Sequence, residues 1–106
     1  MNEADFNQSV DELMFSIEES IDDSGADIDY ENSAGMLTMT CENNQSQIII
    51  SRQPVLREVW VAAVSGGFHF KLENHIWQNT VTGESLSTML NEVFSAQANE
   101  NINFTF

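Results

Sequence analysis

Apolar side chains recur at every third or fourth position from Glu3 to Asp23. This spacing is typical of an α-helix with one buried face. Asn2 is a suitable residue to cap the start of the helix, and Ser24-Gly25 is a suitable place for it to end. The apolar stripe consists of Phe6, Val10, Leu13, Met14, Ile17 and Ile21. The chain is therefore predicted to begin with one amphipathic helix of about six turns.

The middle of the chain alternates apolar and polar residues with a period of two, which is typical of half-buried β-strands. Strands are predicted over 27–31, 36–41, 47–52, 58–64 and 68–72, with a short one around Ile76 and Trp77. Turn-forming residues separate them, and two of the predicted turns cover 32–35 and 65–67. The first strand carries acids along one side, so it is expected at an edge of the sheet.

Helical spacing returns after a loop at 80–83, and a second helix is predicted from about Ser85 to Ala98. Its apolar positions are Leu86, Met89, Leu90, Val93 and Phe94. The tail at 101–106 again alternates apolar and polar residues. We expect it to pack as an extended segment in a groove between the two helices.

This order of elements predicts a single domain over residues 1–106. The fold class is α+β, with two helices packed on one face of an antiparallel sheet of five to six strands. The other sheet face is left to solvent or to a partner. A chain of 106 residues with 42% hydrophobic content suits one modest core and is not typical of a disordered acidic tail. The single cysteine, Cys41, and the lack of a signal peptide or membrane-spanning run favour a cytoplasmic protein.

The charge of the chain is −14 and is unevenly distributed. Residues 1–51 contain twelve acids and no bases, a charge of −12, whereas residues 52–106 contain five acids and three bases, a charge of −2. Such a field repels nucleic acid and anionic membranes. It attracts metal cations and basic protein surfaces.

The acids of the first helix lie on the face opposite the apolar stripe. With about 100° between successive residues, the first row is Asp11, Glu18 and Asp22, and the second row is Asp5, Glu12, Glu19 and Asp23. Like-charged pairs at i,i+4 each cost roughly 0.2–0.5 kcal/mol, and we expect no basic partner for these acids. Together with neighbouring acids they form the acidic ridge: Glu3, Asp5, Asp11, Glu12, Glu18, Glu19, Asp22, Asp23, Asp27, Asp29 and Glu31.

Carboxylate oxygens are suitable ligands for hard cations such as iron, manganese, calcium and magnesium. Exposed carboxylates repeated along a ridge predict weak, multiple and promiscuous binding. A catalytic metal centre is instead enclosed and supported by a defined second shell of contacts. The pattern therefore favours a binding ridge for cations or a basic partner over a solvated surface that is merely acidic.

No enzyme motif is present: there is no glycine-rich phosphate loop, no nucleophile elbow and no zinc-ligand spacing. We therefore expect a non-enzymatic protein. Cys41 alternates with core residues and is interpreted as a buried structural thiol. His69 and His75 are interpreted as surface histidines rather than secondary metal ligands. Trp60 is predicted on the outer sheet face, either as an anchor for a partner or as a local packing residue.

The order and spacing of several motifs resemble the frataxin family, in its bacterial branch, over essentially the whole chain. The motifs are Ile17-Glu18-Glu19, Asp22-Asp23, Asp27-Ile28-Asp29, Gly35-Met36-Leu37-Thr38, Ile48 through Pro54, Leu56 through Trp60, Gly66 through Phe70, and Ser85 through Leu90. Each motif is weak alone, but their order is specific. Two features depart from the family pattern: the loop from Asp22 to Asp27 is short, and Ser51 replaces a usual asparagine.

The resemblance implies iron chemistry. Weak binding of Fe2+ and Fe3+ to the acidic ridge is expected, with cobalt or manganese as surrogates. The implied partners are a cysteine desulfurase, docked through Glu18, Glu19 and Asp22 with Trp60 as the sheet-face contact, and the scaffold protein of iron–sulfur cluster assembly. The expected role is a regulator of that assembly. A monomer is expected without metal, and iron-driven oligomers are left open.

Two alternatives come from other functional classes. An acidic mimic that competes with nucleic acid for a basic protein surface needs only the ridge and no metal, so a metal screen distinguishes it. A protein that oxidises ferrous iron at the ridge, or stores it, is distinguished by the rate of ferrous oxidation with and without the protein.

Overall fold

The elements follow each other as helix, sheet and helix, and the computed structural model describes all 106 residues. They are α1 (Glu3–Ser24), β1 (Ile28–Ser33), β2 (Met36–Cys41), β3 (Gln47–Gln53), β4 (Glu58–Ala63), β5 (Gly66–Glu73), β6 (Ile76–Asn79) and α2 (Leu86–Val93). The six strands pair in chain order and every pair is antiparallel. The predicted α+β architecture is confirmed, and β1 is an edge strand as expected. Neither helix is both long enough and apolar enough to cross a bilayer.

Local sequence sets both ends of α1. The side chain of Asn2 accepts a hydrogen bond of 2.7 Å from the backbone N–H of Asp5, which satisfies one of the free donors of the first turn. Gly25 ends the helix in the left-handed conformation with φ +69°. All six residues of the predicted apolar stripe are buried. The predicted length and orientation of α1 are therefore confirmed.

The sheet separates an inner face, covered by the helices, from an outer face. Buried inner residues include Leu37, Ile50, Val61 and Phe70, and they belong to one core that also contains the stripe of α1. Residues between them in sequence point outward. The edge strand β6 joins this core through Trp77, whose ring lies edge-on to that of Phe6 at 6.2 Å between centroids. The outer face carries no helix, as predicted.

Two predicted turns are shorter in the structure. Asn32 and Ser33 belong to β1, and the turn consists of Ala34 and Gly35, both with positive φ. Consecutive residues with positive φ are typical of a two-residue hairpin turn whose twist matches that of the strands. Likewise, residues 66–67 open β5 instead of forming the turn before it.

The second helix is not uniform, which corrects the prediction of one helix from about Ser85 to Ala98. Ser85 caps α2 by accepting a hydrogen bond from the backbone N–H of Thr88. The α-helix ends at Val93 and continues as a π-helical turn over Phe94–Ala98. The apolar positions retain their roles, since four of the five predicted are buried and Val93 is half-buried.

The C-terminal tail lies between the helices. On the α2 side, the Asn91 side chain accepts a hydrogen bond of 2.8 Å from the backbone N–H of Phe104 and donates one of 3.4 Å to its carbonyl. On the α1 side, Phe106 lines a shallow depression together with Ser16 and Ser20. Ile102 and Phe104 are buried. This agrees with the predicted packing of the tail.

Candidate cation and partner interface

The acids of α1 cover the solvent side of the helix. Asp11, Glu12, Glu19 and Asp22 are exposed, and Glu18 is half-buried. Since the stripe opposite them is fully buried, the carboxylates face water without interruption from basic residues of the same helix. The predicted position of these acids on the solvent side of α1 is confirmed. Binding of cations or of a partner there stays a prediction.

The first row of acids is bonded to side chains of the sheet. Glu18 accepts a hydrogen bond of 3.0 Å from Asn32, and Asp22 accepts one of 2.7 Å from the hydroxyl of Tyr30. Both donors belong to the edge strand β1. These neutral donors stabilise the carboxylates without cancelling their charge. The row is therefore held in place while its negative field is kept.

Asp11 has a basic partner, which corrects the expectation that the acids have none. Nη2 of Arg52, at the end of β3, lies 2.7 Å from Oδ1 of Asp11. The same guanidinium donates to Oδ1 of Asn7 at 3.1 Å and to the carbonyl of Gly35 at 3.4 Å. Arg52 thus connects α1 to the β1–β2 turn. Asp11 is less available to a cation than the other ridge acids because its charge is already paired.

The second row has few partners. Glu12 accepts one hydrogen bond of 3.3 Å from the side chain of Gln8 on the same helix. Glu19 and Asp23 border the shallow depression that also contains Phe106. Neither of them pairs with a basic group. Because like charges at i,i+4 repel each other, Glu19 and Asp23 are the carboxylates that gain most from a bound cation.

Glu3 and Asp5 lie in the first turn of α1, and the three other ridge acids lie outside this helix. Asp29 and Glu31 lie on β1 with their side chains on the outer sheet face, whereas Asp27 precedes the strand. No group of three or more His, Cys, Asp or Glu side chains lies close enough to hold one metal ion. The eleven predicted ligands are therefore spread along α1 and the start of the sheet at β1 rather than gathered in one cluster. A cation bound at this surface would contact one or two carboxylates and would complete its shell with water.

An exposed aromatic residue lies within the acidic face and was missed by sequence reasoning. Phe15 is 60% exposed and is one helical turn from Glu12, Glu18 and Glu19. The available signal was its position next to Met14 but outside the apolar stripe. A large apolar side chain in water is suited to contact with a partner.

The pKa of Tyr30 reflects the negative charge of the first row of acids. Its hydrogen bond to Asp22, its burial and the nearby charges of Asp22 and Glu18 raise its pKa to about 12 from the ordinary value of 10.0. Each of these causes disfavours the negatively charged phenolate. Because the folded chain holds this proton more tightly than the unfolded chain, the resulting stabilisation is present below pH 10 and is lost between about pH 10 and 12.

Tyr30 is the only tyrosine in the chain, so its titration is measurable directly by ultraviolet absorbance. We expect Asp22→Asn to lower the pKa of Tyr30 back toward 10, because the charged acceptor of its hydrogen bond is replaced with a neutral amide. Asp29→Asn is the matched control, since Asp29 is adjacent in sequence but on the opposite face of β1. Equal titration curves for both variants would contradict the assigned hydrogen bond.

The outer sheet face presents Trp60, which is 41% exposed. Its placement on this face is confirmed, and its role as a partner contact stays a prediction. It lies opposite His69 on the neighbouring strand, and the two rings are nearly parallel. Sequence reasoning identified His69 as a surface residue but missed its contact with Trp60, because cross-strand register is not visible in the periodic pattern.

Fold and surface together define a class of protein: a two-layer α+β domain with an acidic first helix and an open antiparallel sheet that displays one tryptophan. A family model described as "Frataxin-like domain" matches residues 1–100. The chain belongs to this family, as the resemblance of its motifs implied.

Individual relatives match most or all of the chain. The iron-sulfur cluster assembly protein CyaY of Vibrio campbellii is 49% identical, over 98% of this chain and 99% of that protein. CyaY of Pseudomonas aeruginosa is 44% identical, over 98% and 97%. Among solved structures, frataxin from Psychromonas ingrahamii covers 100% of both chains with a TM-score of 0.94 and 37% identity. Trimeric frataxin from Saccharomyces cerevisiae, complexed with ferrous iron, covers 94% of this chain and 88% of its own, with a TM-score of 0.69 and 28% identity.

Proposed function

We propose that the protein is a non-enzymatic, cytoplasmic adaptor that regulates iron–sulfur cluster assembly. It binds Fe2+ and Fe3+ weakly on the acidic ridge and docks on a cysteine desulfurase through the same surface. The observation that carries this proposal is the one-sided carboxylate surface of α1, on which a single acid has a basic partner. Relatives that are iron-sulfur cluster assembly proteins, and a relative complexed with ferrous iron, support it.

The proposed binding of metal follows from which carboxylates of the ridge lack a charged partner. Glu19 and Asp23 are exposed and unpaired, and Glu18 and Asp22 accept only neutral donors. A divalent cation between members of an i,i+4 pair replaces a repulsion with two attractions. Since these ligands are surrounded by water, Coulomb attraction is weak and the cation is exchanged easily. Cobalt and manganese are therefore suitable surrogates for iron at this surface.

The docking component follows from the distribution of charge. A field of −12 in the first half of the chain attracts a basic surface over a distance and speeds association at low salt. Glu18, Glu19 and Asp22 contribute to both components, so iron occupancy and docking are thermodynamically coupled. Trp60, on the other side of the domain, supplies a separate contact to the desulfurase or to the scaffold protein bound to it.

Paramagnetic manganese tests the metal component. Added at low concentration, it is expected to broaden the amide signals around Glu18, Glu19, Asp22 and Asp23 first, and that of Asp29 next. Signals around His69 should be unaffected at that stage.

A matched pair of variants sharpens this test. Glu19→Gln with Asp23→Asn should remove most of the broadening, whereas Glu84→Gln with Glu92→Gln, which lie in the loop before α2 and on α2, should leave it unchanged. Broadening centred on His69 and His75 would contradict the proposed site. The same titration, followed by sedimentation, shows whether the apo-monomer forms oligomers with metal.

A further inference from the structure

The indole of Trp60 is held by two residues of β5. Its ring and that of His69 lie 6.3 Å apart between centroids, with 17° between their planes. A Cβ atom added to Gly67 would lie 2.7 Å from Nε1 of Trp60 and 3.3 Å from Cε2. The indole therefore lies across the backbone of Gly67, a position that any other residue would obstruct. The orientation of Trp60 is set by the strand beside it.

His69 is held in turn by Glu58. Nδ1 of His69 lies 3.2 Å from Oε1 of Glu58, and the side chain of Glu58 is 15% exposed while that of His69 is 48% exposed. Glu58 precedes Trp60 by two residues on β4, so all three side chains share the outer face. The other charged side chains of this face on β4 and β5 are Lys71, opposite Glu58 in register, and Glu73 at the end of β5. Neither of them forms an ion pair. On β6, Gln78 is the uncharged neighbour of Lys71.

We infer that His69 is a positioning residue for Trp60 and that its protonation orders the sheet-face docking surface. This inference rests on the docking role proposed for Trp60. Protonated imidazole is attracted to the carboxylate of Glu58, whose Oε1 lies 3.2 Å from its Nδ1, and it attracts the indole ring as a cation. Neutral imidazole loses both charge-dependent attractions. Histidine is the side chain that changes charge in the physiological range.

Two substitutions of His69 separate charge from shape. His69→Gln removes the positive charge at every pH. His69→Arg introduces a planar guanidinium, which stacks on aromatic rings and is charged throughout the pH range. His75→Asn is the control, because His75 lies in the β5–β6 turn with positive φ, a conformation that asparagine tolerates. The protonation of the desulfurase also changes with pH. The affinity of each variant is therefore expressed relative to the affinity of His69→Arg at the same pH.

The first measurement is desulfurase affinity at about pH 6 and about pH 8, on either side of the histidine range. The relative affinity of the wild type is expected to fall about two- to fivefold between them, the size of a partly exposed cation–π contact. The relative affinity of His69→Gln should be low and constant, and His75→Asn should follow the wild type. A constant ratio for the wild type would overturn the inference.

The second measurement needs no partner. Nuclear magnetic resonance follows the indole N–H of Trp60, with the buried Trp77 as internal reference. The order of the Trp60 indole should decrease as the His69 ring loses its proton, and it should be low at both pH values in His69→Gln. Unchanged order in that variant would overturn the inference. If the desulfurase binds the wild type at neither pH, the docking proposal is wrong, and the indole measurement alone decides the positioning role.

Discussion

Reversing Glu18, Glu19 and Asp22 to lysine is expected to lower desulfurase affinity about a hundredfold or more, because close charge pairs at interfaces contribute several kcal/mol. The net charge changes from −14 to −8, since each reversal adds two units to the total. The loss should be largest at low salt, where steering is strongest. A titration of the desulfurase at two salt concentrations measures it.

The fold should persist in this variant. All three side chains point away from the buried stripe of α1, and the hydrogen bonds lost to Tyr30 and Asn32 are near the surface. Circular dichroism checks this point. Glu19→Lys converts the like-charged pair with Asp23 into a pair of opposite charges, which partly offsets the lost hydrogen bonds, whereas reversal of both Glu18 and Asp22 leaves a like-charged pair at those positions.

A matched control distinguishes the effect of reversing charge on the ridge from the effect of changing the net charge of the protein. Glu73, Glu84 and Glu92, all outside the ridge, can be reversed to lysine with the same change in net charge. This control should bind the desulfurase within a few-fold of the wild type. If both triple variants lose affinity equally, or if the ridge variant binds as well as the wild type, the ridge is not the docking surface. Trp60→Ala should weaken binding with little dependence on salt.

Elements of this fold were predictable wherever periodicity is local. The stripe of α1 and the alternation in β2 appear within a few residues of sequence, and the structure confirms both. Errors occurred where tertiary pairing overrides residue preference. Asn32 and Ser33 are typical turn residues, yet they pair with Leu37 and Met36. The two positive-φ residues after them make the tighter turn that fixes this register.

Gly67 shows a second limit of predicting structure from sequence. The sequence predicts a turn from two adjacent glycines, which is the common interpretation. In the structure this residue pairs with Ala62 within β5, and the indole of Trp60 occupies the space that a side chain at Gly67 would need. The reason for the glycine is therefore a cross-strand contact. Such a contact is determined by register and is not encoded in the local pattern.

The composition of the acidic surface was predictable, but its internal division was not. Helical spacing placed the two rows, whereas the pairing of Asp11 with Arg52 joins residues 41 positions apart in sequence. Nothing in the spacing of either residue indicates this contact. The structure therefore divides the ridge into one paired acid, two acids with neutral donors, and acids that no donor from the sheet reaches.

Arg52 provides the second large expected effect, on stability. Arg52→Met keeps most of the apolar stem but removes donors to Asn7, Gly35 and Asp11. We expect a loss of about 2 kcal/mol in the free energy of unfolding, because hydrogen bonds from charged groups are among the stronger ones. For a domain of this size, that loss lowers the melting temperature by about 10 °C. Thermal denaturation of the variant measures it.

Arg57→Met is the matched control, since the guanidinium of Arg57 bonds only to the carbonyl of Pro54 in its own turn. It should melt close to the wild type. Asp11 is 70% exposed, so a double-mutant cycle of Arg52→Met with Asp11→Asn should give a coupling below about 1 kcal/mol. Most of the loss is then assigned to the contacts with Asn7 and Gly35.

The same variant connects stability to cation binding. Without Arg52, Asp11 becomes a free carboxylate beside the unpaired acids of α1, and manganese should bind the ridge more tightly. A ligand that binds the folded state raises the melting temperature, so added manganese should stabilise Arg52→Met by more degrees than it stabilises the wild type. Equal stabilisation of the two proteins by manganese would show that Arg52 does not compete with cations for Asp11. A melting temperature for Arg52→Met equal to that of Arg57→Met would show that Arg52 does not support α1.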